Sequence, residues 1–123
     1  MSENIHVRAE FLIKEDNVEQ FKKLIREMSR AVEVNEPTTL VYQAYFNTDG
    51  TKCMVPETYV DSKAVISHNE SDASKMILPK IFNIAKLNTL DVYGNPNNEL
   101  KKLLVGFNSQ IFNLYTGFSR KGE

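Results

Sequence analysis

Ile5, Val7, Ala9, Phe11 and Ile13 alternate with His6, Arg8, Glu10 and Leu12, the two-residue period of a strand with one apolar and one mixed face. The period then lengthens. Val18, Phe21, Leu24, Ile25, Met28 and Val32 form a stripe at helical spacing, capped by Asp16 or Asn17 and wide enough to cover a sheet. Glu36-Pro37 ends that helix, because a proline ring disfavours helical geometry at the residue before it. Two more alternating segments follow, joined at Asn47-Thr48-Asp49-Gly50, where the Asp-Gly pair predicts a tight hairpin turn. The second closes on Glu57-Thr58-Tyr59, so that Glu57 and Tyr59 share one side of the sheet. Asp61 or Ser62 caps a short helix with Ala64, Val65 and His68 on one face. Ser71-Asp72 opens another helical stretch with Met76, Ile77, Ile81 and Phe82 apolar, in which Pro79 predicts a kink or break. Leu87 to Tyr93 is a further strand, ended at Gly94-Asn95-Pro96. A last helix, capped by Asn95, runs from Pro96 to about Val105 with Leu100, Leu103 and Leu104 inside. Ile111 to Arg120 is a short strand or an extended tail anchored by Tyr115 and Phe118.

The order strand, helix, strand, strand, helix, strand is that of a ferredoxin-like α+β fold with an antiparallel sheet. Its helices cover one face of the sheet. The other face carries Tyr, Phe, Val and Leu side chains beside polar ones, and a second copy of the chain is the simplest cover for it. Two such sheets face to face make a dimeric α/β barrel with a cavity in each half. The length of 123 residues fits one domain, divided into a core over 1–94 and an extra helix and tail over 95–123.

Composition removes several classes of function. With 15 basic and 16 acidic residues and a net charge of -1, and no Lys/Arg run interleaved with aromatics, nucleic acid is a poor partner. The N-terminus lacks the basic start and apolar stretch of a secretion signal, and no apolar run reaches the length of a membrane span. A cytoplasmic location fits. The single cysteine, Cys53, cannot form an internal disulfide and sits mid-strand, as a small buried apolar residue does. His6 and His68 are the only histidines, and no spacing suggests a metal site.

The opening HVRAEFLIKEDNVEQFKKLIREM, the EPTTLVYQAYFN strand and above all ETYVDSKAVISH resemble the antibiotic biosynthesis monooxygenase family of the dimeric α/β barrel group. The shared pattern is a Glu-x-aromatic strand end, an Asp-Ser turn and Ala-x-x-x-His on a helix. It covers roughly the first ninety residues, and the segment from DVYGNPNNELKKLL to YTGFSR looks like a branch of the family with an extra helix and tail.

The resemblance implies a cofactor-independent oxidation of a small aromatic or quinol-type substrate by molecular oxygen. Such chemistry needs a base to make the substrate an anion, donors to hold that anion, and dry apolar walls. His68 is then the base, Tyr59 and Tyr42 the donors, Glu57 the orienting carboxylate and Arg8 an anion stabiliser. Each has a plainer reading. His68 also suits a hydrogen-bonded core residue, Glu57 a partner of Arg8 or Lys52, and the tyrosines sheet packing with satisfied hydroxyls. Haem-degrading members of the family place a tryptophan where His68 falls and an iron-ligating histidine at or near Leu78, where leucine cannot bind iron. Two other functions suit the same residues: non-catalytic binding or sensing of a small apolar ligand, and isomerase-like proton transfer next to a carbonyl.

Overall fold

The computed structural model describes residues 3–120. Strand β1 (Ile5–Ile13) runs through the middle of the sheet, with its odd-numbered residues all buried. It pairs antiparallel with β4 (Lys52–Tyr59) on one side and β5 (Ala85–Tyr93) on the other. Outside β4 lie β2 (Thr39–Tyr42) and β3 (Tyr45–Phe46), and outside β5 lies β6 (Ile111–Phe112), which runs parallel to it. The order β2-β4-β1-β5 is the ferredoxin-like arrangement, as the sequence pattern predicts. A mixed α+β architecture with four helices results.

Helix α1 (Val18–Asn35) buries its predicted stripe in full, from Val18 to Val32, against the inner face of β1 and β4. Asn17 stands at its N-cap but makes no capping bond; its amide instead donates to the Ile84 carbonyl at 3.2 Å, tying the helix start to the end of α3. Helix α2 (Ser62–Asn69) is capped by Asp61, whose carboxylate accepts from the Ala64 amide at 2.9 Å. Helix α3 (Asp72–Ile84), capped by Ser71, runs through Pro79 without the expected break. Pro79 and Lys75 are both exposed, so the carbonyl that loses its amide partner faces water and not the core. Helix α4 (Asn98–Val105) begins two residues later than predicted, because Asn97 and not Asn95 supplies the capping oxygen, to the Leu100 amide at 2.9 Å.

The segment expected as one strand after Pro37 is divided at Gln43-Ala44 into β2 and β3. In the following turn only Gly50 takes a positive φ, +80°. Its amide closes on the Asn47 carbonyl, and Asp49 accepts from the Thr51 amide and hydroxyl. The tail pairs with β5 through Ile111 and Phe112, and Asn113 donates to the Gly94 carbonyl. Beyond it Leu114, Tyr115 and Phe118 are at least 80% exposed, so the anchors predicted at Tyr115 and Phe118 do not pack on their own chain.

The buried side chains fall into two clusters. One lies under α1 and α3 and includes Phe11, Phe21, Met28 and Ile81. The other lies under α2 and α4 and includes Ile5, Val7, Tyr59, Leu100 and Leu104. Leu90 of β5 packs against both, and the seam between the clusters holds the cavity described below. Leu100 is fully buried in the second cluster. Its replacement by alanine should cost about 2–5 kcal/mol, the range for emptying a leucine site in a core. Urea unfolding measures this; a loss below about 1 kcal/mol would mean that α4 is only loosely attached.

Candidate functional site

Two neighbouring chain crossings bring four polar side chains together inside an apolar shell. On β4 the two-residue period sends Glu57 and Tyr59 to the helix-covered face, opposite Val7 and Ile5 of β1. Tyr42 stands beside Glu57 in the β2–β4 ladder and faces the same way. Only Val60 and Asp61 separate β4 from α2, so the second turn of α2 returns His68 to the strand end. The His68 carbonyl accepts from the Ser74 hydroxyl at 2.6 Å and the Ser71 amide at 3.2 Å, which fixes its backbone at the corner between α2 and α3. The imidazole lies 5.5 Å from the Tyr59 ring and 5.7 Å from the Tyr42 ring, tilted against both.

The carboxylate that meets the imidazole is Glu36. Its Oε1 lies 2.8 Å from His68 Nδ1 and also accepts from the Thr39 hydroxyl at 3.0 Å. An ionised carboxylate only accepts, so Nδ1 donates, and in the neutral imidazole Nε2 keeps its lone pair for a ligand. From the sequence alone Glu57 is the expected partner of His68, and Glu36 is only a helix stop. The signal was present nonetheless: Pro37 forces the chain out of α1 at Glu36, and Thr39, three residues on, pairs with Tyr59. Glu36 Oε2 is buried without a partner among the described residues, leaving one carboxylate oxygen in reserve beside the imidazole.

Glu57 binds neither Arg8 nor Lys52; its Oε1 accepts from the Tyr59 hydroxyl. Burial raises the Glu57 carboxyl above its ordinary value, only partly offset by the His68 charge and the Tyr59 hydrogen bond. Burial and the neighbouring Glu57 likewise hold the Tyr59 and Tyr42 hydroxyls well above the ordinary tyrosine value. Burial thus pushes all three toward their neutral forms. The Cys53 thiol, buried at the β3–β4 pairing, is pushed up to about 11, which leaves little nucleophilic thiolate.

These groups end a cavity of about 80 Å³. Apart from Asn69 its other walls are hydrocarbon, with Leu78 and Phe82 from α3 on one side and Leu103, Leu104 and Phe107 from α4 and its C-terminal turn on the other. Leu78, at the position where the haem-degrading pattern needs a histidine, is part of the wall. Arg8 does not reach the cavity. Alternation along β1 places Val7 and Ala9 in the lining and sends Arg8 to the open face, opposite Pro56 and Asp91, with its guanidinium 5.3 Å above the Tyr93 ring. His6 is on that face too, its Nδ1 2.9 Å from the Thr58 hydroxyl.

The sequence matches the family described as "Antibiotic biosynthesis monooxygenase" over residues 4–79. No curated protein matches it. Among solved structures, MupZ from Pseudomonas fluorescens is similar over 97% of this chain and 96% of its own, with 28% identity and a TM-score of 0.84. Rv0793 from Mycobacterium tuberculosis is similar over 77% of this chain and 97% of its own (18%, TM-score 0.67). An antibiotic biosynthesis monooxygenase is similar over 76% and 99% (20%, TM-score 0.68). The last two share the fold without about a quarter of this chain, whereas the likeness to MupZ extends over nearly all of it.

Because the folded Glu57 carboxyl titrates above 4.5, its buried neutral form stabilises the protein at low pH. That contribution fades as pH rises through the raised folded value. Glu57→Gln keeps an acceptor for Tyr59 and removes the titration. Thermal melting from pH 4.5 to 9 should show the variant gaining on the parent as pH rises; a constant difference would contradict a neutral Glu57.

Proposed function

Because the chain belongs to the antibiotic biosynthesis monooxygenase family, we propose that it is a cytoplasmic, cofactor-independent monooxygenase acting on a small electron-rich phenol or enol, with His68 as its base. The observation that carries this reading is the 2.8 Å pairing of His68 Nδ1 with Glu36 at the polar end of a largely apolar cavity. A buried carboxylate holds the imidazole in one tautomer and stabilises the imidazolium that forms when Nε2 takes a proton.

The substrate enters neutral, and Nε2 removes its acidic proton. Tyr42 donates to the oxygen on which the negative charge settles, and Tyr59 joins it when its hydroxyl turns from Glu57 to the substrate. The electron-rich anion passes an electron to molecular oxygen, and the two radicals combine to a peroxide at the activated carbon. Proton return from His68 gives a hydroperoxide. Where that carbon still bears a hydrogen, loss of water leaves a carbonyl, so one oxygen atom stays in the product and the other departs as water. Neutral Glu57 is placed to donate to the departing hydroxide.

A second reading rests on Glu57 itself. A neutral carboxylic acid and a histidine base in the same dry cavity also suit proton transfer next to a carbonyl, with no oxygen consumed. Oxygen uptake with a panel of dihydroxyaromatics supports the first reading; deuterium exchange from solvent into a ketone without oxygen uptake supports the second.

His68→Asn should lower turnover by about a hundredfold or more while shifting the melting temperature by only a few degrees. A variant that melts early yet keeps its specific activity in the cold would overturn the catalytic role.

We also propose that two copies associate. The open sheet face is mixed, with Arg8, Glu10 and Asp91 among Leu12, Met54 and Tyr93, and the exposed apolar weight sits in Leu114, Tyr115 and Phe118 of the tail. Side chains of this kind are covered by a partner in most soluble proteins. Sedimentation at micromolar concentration should give a dimer that weakens when the chain is cut after Asn113; a monomer in both cases would exclude this.

A further inference from the structure

The wall opposite α3 comes from residues outside the family-matched segment. Leu103, Leu104 and Phe107 all lie beyond residue 79, and α4 packs chiefly on α2. The cavity therefore has a sheet floor at Leu90, one side from α3 and the other from the extension. Phe107 is held there by the turn that ends α4. Its amide bonds the Leu104 carbonyl, and Asn108 takes a left-handed φ of +53°, the conformation that closes a helix in place of glycine. Across the seam Phe82 stacks on Phe11 with ring centroids 6.3 Å apart and is 44% exposed.

The two ends of this space differ in chemistry. At one end are Tyr42, Glu57, Tyr59 and His68, and no lysine or arginine lines the cavity. A carboxylate ligand would have to give up its water beside the buried Glu36–His68 pair, with no lysine or arginine in the lining to offset its charge, so a charged head is disfavoured. The enclosed part, about 80 Å³, is smaller than the ~150 Å³ that houses benzene in an engineered apolar cavity. A ring with its oxygen at His68 must therefore extend into the seam.

We infer that the extension is the substrate-selecting wall: the cavity takes a ligand with an uncharged hydroxyl or carbonyl head at His68 and a hydrocarbon tail along the seam between α3 and α4, with Phe107 setting the tail length. This rests on the cavity being the substrate site. It goes further in naming the ligand's charge and shape, and in giving the extension a role.

Calorimetric titration with 4-alkylphenols of increasing chain length tests it, with 4-alkylbenzoates of matched length as the charged series. Phenol affinity should rise about fourfold for each methylene buried and then level off, and the benzoates should bind at least tenfold more weakly. Phe107→Ala should move the levelling point to longer chains and Phe107→Trp to shorter ones, with thermal melting confirming that both fold. Affinity independent of chain length, a levelling point that neither variant moves, benzoates binding as well as phenols, or no phenol binding at all would each overturn the inference. In His68→Gln the chain-length dependence should persist. If that dependence responds to Phe107 while no phenol supports oxygen uptake, the oxygenase reading fails and the selecting wall stands.

Discussion

The hydrogen bond from His68 to Glu36 joins parts of the chain 32 residues apart, and the polar end of the cavity depends on it. Buried polar groups without partners are costly, so a histidine on the apolar face of α2 is tenable only if something on the sheet side accepts from it. The acceptor sits at the last residue before Pro37, where α1 ends and the chain turns into β2. Pairing of β2 with the end of β4 then brings Tyr42, Glu57 and Tyr59 around the same imidazole. Helix stop, strand register and two-residue connection are thus one geometric solution. A shift of β4 by one residue would turn Glu57 and Tyr59 to the open face.

The low dielectric that makes this cluster demanding also gives it chemical range. Glu57, Tyr59 and Tyr42 are pushed toward their neutral forms chiefly by burial, beside the hydrogen-bonded pair of His68 and Glu36. The imidazole therefore faces groups that burial pushes toward neutral, donating forms, in a largely apolar cavity. The division of labour arises from environment, since Glu36 and Glu57 are the same residue type.

Much of this was legible in the sequence because it was local. The alternation from Ile5 to Ile13, the stripe from Val18 to Val32 and the Asp61 cap each declare themselves within a few residues, and Glu57, Tyr59 and His68 follow from a strand end and the next helix. What escaped was set by pairing across long separations. Glu36 reads as a helix stop until β2 is laid against β4. Arg8 looks like an anion partner until the alternation of β1, with Val7 and Ala9 facing inward, fixes its side of the sheet. Asn95 and Asn97 are equally good caps by residue type, and only the amide of Leu100 chooses between them. Pro79 predicts a break that does not occur because its unpartnered carbonyl lies at the solvent side, and the wall built by Leu103 and Phe107 appears only once α4 has docked on α2.

The central claim is that Glu36 fixes the tautomer of His68 and leaves Nε2 bare toward the cavity. With only two histidines in the chain, nitrogen-15 NMR of histidine-labelled protein at neutral pH can assign both rings. The account predicts that His68 carries its proton on Nδ1, that Nε2 is unprotonated and shifts when a 4-alkylphenol binds, and that Glu36→Gln disturbs this state while leaving His6 unchanged. A His68 protonated on Nε2 alone, or an Nε2 resonance indifferent to the ligand, would contradict it.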